Sequence, residues 1–277
     1  MNVRRRAGLG VCVLVIVAAA AAGGTVRIAH ARASSRGTAR GAVGYAGPAQ
    51  GVIRHGVASL ASRNWAGYVT FKSNGKTDFN GVTSTWVQPA VTCEAKNAWT
   101  VFWAGLDGWG SGTVEQGGSS AQCIGGVPDY TVWWEMFPTN SIQTMFEINP
   151  GDTISATVTY APSTKKFTIN VRDVTSGKSF TRNEKCAKGE DCGRVSAEAI
   201  AEDVGKFGGS TYFPLADYGS VQFTKSAITD VSGRTGGFVK HAWQFAAITE
   251  QTKKTIYATV SGLSNHSTTF TATWKHR

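Results

Sequence analysis

From about Ser59 to the C terminus, hydrophobic and polar residues alternate with a period of two. The apolar set is Ile154, Ala156, Val158 and Tyr160 in "TISATVTYA" and Phe167, Ile169 and Val171 in "KFTINVRDV". It is Ile256, Ala258 and Val260 in "TIYATVSG", and Phe270, Ala272 and Trp274 in "TFTATW". Successive side chains of a strand point to opposite faces, so each segment predicts a strand with one buried face. Turn-forming clusters such as Ser73 to Gly75 and Ser176 to Gly177 bound these runs. No amphipathic helix longer than two turns is predicted. About 215 residues of short strands exceed the needs of a small barrel and predict one all-β domain over residues 59–277, a sandwich of two packed antiparallel sheets.

The N terminus breaks this pattern. "MNVRRRAGLGVCVLVIVAAAAAGG" has three arginines, an apolar run from about Leu9 to Ala22, and small residues beyond it. The run is shorter than the roughly 20 residues that cross a bilayer. Residues 1–33 are therefore expected to be a secretory signal peptide, with A-x-A cleavage sites after Ala31 or Ala33. Residues 34–58 are rich in Gly, Ala, Ser and Arg, with few large apolar side chains. They cannot build a core and are expected to be a pro-segment or linker.

Setting the N terminus aside changes the charge. The formal value of +10 suggests a nucleic-acid surface, but residues 1–56 hold eight of the 28 basic residues and no acid. The rest balances 20 basic against 18 acidic residues, so no nucleic-acid partner is expected. Cys12 leaves with the signal, and Cys93, Cys123, Cys186 and Cys192 remain, an even count that suits an oxidising compartment. Three pairings are open. Cys93 with Cys123 and Cys186 with Cys192 is favoured, because "CAKGEDC" closes locally; on the chain-entropy model the two loops contribute roughly 3.5 and 2 kcal/mol. Paired Cys/His spacing of the zinc type is missing, and no metal or cofactor is expected.

Familiar catalytic motifs are absent: there is no H-E-x-x-H, G-x-S-x-G or Walker loop. "GWGSG" (Gly108 to Gly112) has no helix after it for a phosphate and is expected to be a hairpin loop. His30 and His55 fall in the processed region, leaving His241, His266 and His276, of which the last two sit in polar surroundings near the end of the chain. With the cysteines paired, a nucleophilic triad is not expected. Carboxylates and tryptophans remain. On a strand, Glu198, Ile200 and Glu202 share a face, as do Trp133 and Glu135 in "YTVWWEMFP". By pattern alone the Glu198/Glu202 strand is equally a cleft wall or a solvent-facing edge.

The succession "NWAGY" (Asn64 to Tyr68), "FWAGLDG" (Phe102 to Gly108), "EQGG" (Glu115 to Gly118), "VWWEMFP" (Val132 to Pro138), "NPGD" (Asn149 to Asp152) and "AEAIAED" (Ala197 to Asp203) resembles the glutamic peptidase family, the eqolisins. Each motif is weak alone, but six in order, over nearly the whole mature chain, are specific. The resemblance implies a concanavalin-like β-sandwich of two seven-stranded sheets with a substrate groove across a concave face. It puts the catalytic glutamine at Gln116 and the catalytic glutamate at Glu202, with Trp65, Trp103, Asp107, Trp133 and Glu135 in support. The chain departs from relatives at Gly117, where Thr or Ala is common, and at Phe137, where a relative has Tyr.

Such a dyad hydrolyses a peptide bond without metal, serine or cysteine. An ionised Glu202 takes a proton from a water, and the Gln116 amide orients that water and stabilises the oxyanion. The expected protein is thus a secreted, extracellular, acid-acting endopeptidase, a monomer with protein or peptide substrates and no stable membrane association once the signal is removed. A non-catalytic sandwich binding carbohydrate through groove tryptophans is the alternative, and a glycosidase leaves Gln116 without a role. A further expectation concerns residues 34–58. Arg36, Arg40 and Arg54 lie in a stretch without acids, so this segment is expected to cover the groove by charge pairing near neutral pH and to be released by self-cleavage on acidification.

Overall fold

The computed structural model describes residues 44–50, 53–54, 59–71, 78–206 and 211–276. The expected signal peptide, residues 1–33, and most of the 34–58 stretch, including Arg36 and Arg40, lie outside the described residues. The four segments singled out for alternation form strands at Thr153–Ala161, Lys166–Asp173, Ile256–Val260 and Phe270–Trp274. A single 3-10 turn, Lys240–Ala242, is the helical element among the described residues.

Two layers of strands pack face to face. The smaller layer runs Ser179–Glu184, Lys166–Asp173, Thr153–Ala161, Phe79–Val87 and the second half of Ser220–Asp230, all antiparallel. The larger runs Gln143–Glu147, Val127–Phe137, Val114–Ile124, Asn97–Leu106, Ser196–Asp203, Trp65–Phe71, Gln244–Gln251, Ile256–Val260 and Phe270–Trp274, again antiparallel between neighbours. A short parallel pairing of Ser59–Ser62 with Gln244–Gln251 departs from this rule. The sandwich is confirmed, but its sheets are not separate seven-stranded units. The strand Ser220–Asp230 belongs to both, pairing with Phe270–Trp274 through Ser220–Phe223 and with Phe79–Val87 from Thr224 onward. A register shift between Thr224 and Ala227, with Lys225 at φ 51°, bends the strand from one layer into the other, as bulges do at sheet corners.

The layers meet over the apolar halves of the alternating strands. Ile154, Ala156, Val158, Phe167, Ile169 and Val171 are fully buried against Phe102, Ala104, Ala121 and Val132 of the larger sheet. Trp86 spans the layers, its indole N–H donating to Ser119 Oγ at 2.8 Å. Gly117 explains one departure from relatives. A Cβ there would lie 2.7 Å from Ile169 Cγ2 and 2.9 Å from Val171 Cγ2 on the facing sheet, so this interior has no room for a side chain. Both expected disulfides form, Cys93 with Cys123 and Cys186 with Cys192.

Candidate active site

The outward face of the larger sheet is built in cross-strand rows, and members of a row project to the same side. Val69, Glu198, Gly105, Gln116 and Glu135 form one row across five adjacent strands. Gly67, Ile200, Trp103, Gly118 and Trp133 form the next, and Trp65, Glu202, Val101 and Ser120 the one beyond. Antiparallel register therefore brings Gln116 and Glu202 onto one surface although 86 positions separate them in sequence. The face is dry: Trp65, Trp103, Gln116, Trp133, Glu135 and Glu202 are all 0 % exposed.

Glu202 is held by three donors. Trp103 Nε1 donates to Oε2 at 2.8 Å, and Asn64 Nδ2 and the Gly47 N–H donate to Oε1 at 3.0 and 2.9 Å. Gln116 Nε2 donates to the Ala46 carbonyl and, at 3.4 Å, to Glu135 Oε2, which also accepts the Ala46 N–H at 2.9 Å. The Ala46 carbonyl can only accept, which fixes which end of the Gln116 amide faces it. Gln116 Oε1 has no protein partner among the described residues and stays available as an acceptor. Trp65 packs edge-on to Trp103 at 5.1 Å and donates its indole N–H to the Gly47 carbonyl at 3.0 Å.

Burial dominates the electrostatics. It raises Glu202 well above the ordinary carboxylate value, and the Asn64, Trp103 and Gly47 donors pull the other way without winning. Glu135 is raised by burial first; the Ala46 N–H lowers it, and the neighbouring Glu202 charge adds to the rise. Glu115, Glu198 and Glu250 are likewise pushed well up by burial before any other cause. Desolvation that outweighs the nearby donors produces this direction; the ion pairs Arg182–Glu184 and Arg234–Asp230 lie elsewhere.

Of the residues named from sequence, Gln116, Glu202, Trp65, Trp103, Trp133 and Glu135 share this surface. No hydrogen bond joins Asp107 to the pair among the described residues. Its carboxylate accepts the backbone N–H groups of Arg194 and Val195 at 2.7 and 2.8 Å, and its charge adds to the rise at Glu115 and Glu198. Sequence reasoning overlooked Asn64. The motif "NWAGY" supplied only its tryptophan, yet Asn64 also accepts the Gln50 N–H through Oδ1 at 2.8 Å and so ties Glu202 to the covering chain. The Phe137 ring packs edge-on to Tyr45 at 6.3 Å and would lie 3.3 Å from a Cβ at Gly47, an apolar role that requires no hydroxyl. The glycine-rich stretch 108–112 is the expected loop between two hairpin strands.

The sequence profile of the Peptidase A4 family matches residues 63–272, a span that contains all of these rows. The chain belongs to that family. It is a glutamic peptidase, a peptide hydrolase acting on proteins or peptides. Its fold is similar to that of scytalido-glutamic peptidase solved with a peptide-based transition-state analogue, at 22% identity and a TM-score of 0.63, covering 77% of this chain and 98% of that one. SCP-B, an eqolisin-family peptidase in a complex with the tripeptide Ala-Ile-His, matches at 21% identity and a TM-score of 0.62 over the same shares. Aspergilloglutamic peptidase from Aspergillus niger matches at 25% identity and a TM-score of 0.54, covering 64% of this chain and 99% of that one. No curated protein sequence matched this peptidase.

Proposed function

We propose that this peptidase is a secreted, acid-acting endopeptidase in which Glu202 and Gln116 are the catalytic pair. One observation carries the reading: both side chains close on a single peptide link, Gln116 at the carbonyl oxygen of Ala46 and Glu202 at the nitrogen of Gly47. Those two atoms must be stabilised and protonated when an amide is cut. Ionised Glu202 takes a proton from a water, whose oxygen bonds to the carbonyl carbon. The Gln116 N–H holds the oxyanion, and the C–N bond breaks as Glu202 returns its proton to the leaving nitrogen. Trp103 and Asn64 position Glu202, and Glu135 borders Gln116.

Acid action has its own physical support. Glu115, Glu198 and Glu250, raised by burial and outside the proton transfer, favour the folded state while protonated, so the groove sheet is stable in the acid where the enzyme is proposed to work. The carbohydrate-binding alternative loses ground on the same face, because the Trp65 and Trp103 indoles are buried and committed to Gly47 and Glu202. Secretion rests on the N-terminal pattern, with the two disulfides in agreement.

The test is digestion of denatured casein across pH values from about 2 to 8 by the wild type, Glu202→Gln and Gln116→Ala. Each variant is expected to lose at least about 100-fold in kcat/KM, the scale of one oxyanion-hole donor, with its melting temperature kept. Retention of more than a tenth of the wild-type value removes the assigned roles.

A further inference from the structure

The chain that covers the groove lies there in a catalytic register. Residues 44–50 run across the rows in extended form, anchored on both sides of the Ala46–Gly47 bond. On the N-terminal side, Gly44–Tyr45 pairs antiparallel with Gly205–Lys206, and the Gly44 carbonyl accepts the Ile142 N–H at 3.0 Å. On the C-terminal side, the Gly47 carbonyl accepts Trp65 Nε1, the Ala49 N–H donates to Gly108 O at 3.2 Å, and the Gln50 N–H donates to Asn64. Backbone groups make these contacts. The charge pairing expected from Arg36, Arg40 and Arg54 falls on side chains outside the described residues. Ala46 is fully buried on the apolar part of the floor with Trp65 and Val114.

We propose that Ala46–Gly47 is the bond this enzyme cuts in its own precursor, and that the register of residues 44–47 sets its substrate preference. The proposal rests on the catalytic pair above and adds which bond is cut and why. The Ala46 carbonyl oxygen sits on Gln116 and the Gly47 nitrogen on Glu202, so addition of water to the Ala46 carbonyl carbon ends with a carboxyl group on Ala46 and a free amine on Gly47. Until then the segment occupies the groove and excludes other substrates.

Selectivity follows from two positions. A Cβ on Gly44 would fall 2.3 and 2.5 Å from the Trp99 ring and 2.7 Å from Val204 Cγ1, so the subsite two residues before the alanine admits only glycine without rearrangement. Trp99 is itself fixed, because its indole donates to Ser120 Oγ at 2.7 Å and its ring packs on Phe213 at 5.4 Å. At the bond itself, enclosure of Ala46 leaves space for a small side chain. The preferred substrate is an extended segment of the form Gly-x-Ala, cut after the alanine.

Three measurements test this. The full-length wild-type precursor is brought to acid beside its Glu202→Gln variant, and the product is N-terminally sequenced; the expected wild-type sequence begins Gly47-Pro48-Ala49, while Glu202→Gln stays uncut. The synthetic peptide GAVGYAGPAQ, residues 41–50, is expected to be cut between its Tyr-Ala and Gly-Pro pairs. The same peptide with valine in place of Gly44 is expected to be cut at least tenfold more slowly, a readout that needs no variant protein to fold. A casein-digesting wild type that yields a different N terminus, or that cuts the peptide elsewhere, overturns the assigned bond and leaves the catalytic pair standing. Equal rates on the two peptides overturn the glycine subsite. A wild type inactive on casein as well as on its precursor removes the catalytic pair and this inference together.

Discussion

The two layers of the sandwich use their residues differently. In the smaller layer burial alternates: Ile154, Ala156 and Val158 are buried while Thr153, Ser155 and Thr157 are part-exposed. In the central strands of the larger layer it does not, and Ser196 through Glu202 are buried without a break, as are Ala98 through Leu106. One layer has a dry face and a wet face, so its chemistry is packing. The other is covered twice, by the opposite sheet and by residues 44–50, and its second dry face holds glutamates and a glutamine in place of aliphatic side chains. Covering a face of that composition is tolerated only while its acids are neutral or hydrogen-bonded, which ties the stability of the larger layer to acid pH, whereas the shifted acid of the smaller layer, Asp230, moves in the opposite direction.

The largest effect that sharpens this contrast belongs to the packing layer. Phe167 is fully buried, with its ring 4.9 Å from that of Tyr160. Phe167→Ala is expected to cost about 3–5 kcal/mol of stability by denaturant unfolding, with its activity profile against pH unchanged. A change in the profile shows that the layers are not separable in this way.

The second effect belongs to the groove layer and is read as melting temperature against pH. Glu115, Glu198 and Glu250 have folded-state values raised by burial above the unfolded carboxylate value of about 4.3. Their contribution to stability is complete below the unfolded value and is lost as pH rises through the folded one; a tenfold difference in proton affinity between the two states corresponds to about 1.4 kcal/mol. The melting temperature is therefore expected to be higher near pH 4 than near pH 7. Asp230 runs the other way: burial opposes its ionisation, but Arg234 and nearby backbone N–H groups bring it below its ordinary value. A melting temperature that rises toward neutrality refutes the dominance of the buried acids.

The same contrast decides what could be read in the sequence. Alternation located the strands at 153–161, 166–173, 256–260 and 270–274, because each has a wet face to write polar letters on. It could not decide the Glu198/Glu202 strand, where both faces are buried and the period of two carries no signal. There the ordered motifs did the work that periodicity could not. Asn64 was missed because a neutral amide beside a tryptophan resembles any strand start until its partner across the sheet is known. That residues 34–58 cover the groove was expected from charge, but the backbone register in which 44–50 lie there was not, for a related reason. Gly44, Ala46 and Gly47 have the composition of a linker, and only the walls around them, Trp99, Val204 and Phe137, give their smallness a purpose.

Asn64→Ala carries the next expectation. Removing its donor from Glu202 Oε1 leaves burial less opposed, so the Glu202 value moves further up and the acid limb of the activity profile moves to higher pH. A hydrogen bond to a charged group is worth about 1.5–3 kcal/mol, so kcat/KM at acid pH is expected to fall by roughly tenfold or more. A fall with no displacement of the limb assigns Asn64 to the fold and not to Glu202.

The smallest effect tests the seam between the layers. Gly117 follows Gln116 on the strand but points to the opposite side, into the methyl groups of Ile169 and Val171. Adding one methyl by Gly117→Ala forces the sheets apart by a few tenths of an ångström or bends the strand, and overpacking of this kind costs about 1–3 kcal/mol. The strain is local, so Ile169→Ala, destabilising alone, should relieve it. The double variant is expected to be more stable than the sum of the two single losses predicts, by at least about 0.5 kcal/mol. Because the strand that moves also carries Gln116, Gly117→Ala should lower kcat more than it raises KM, and Ile169→Ala should restore kcat together with stability. Strict additivity in stability means that the two sheets have slack at this point, and the packing layer then exerts no hold on the glutamine through Gly117.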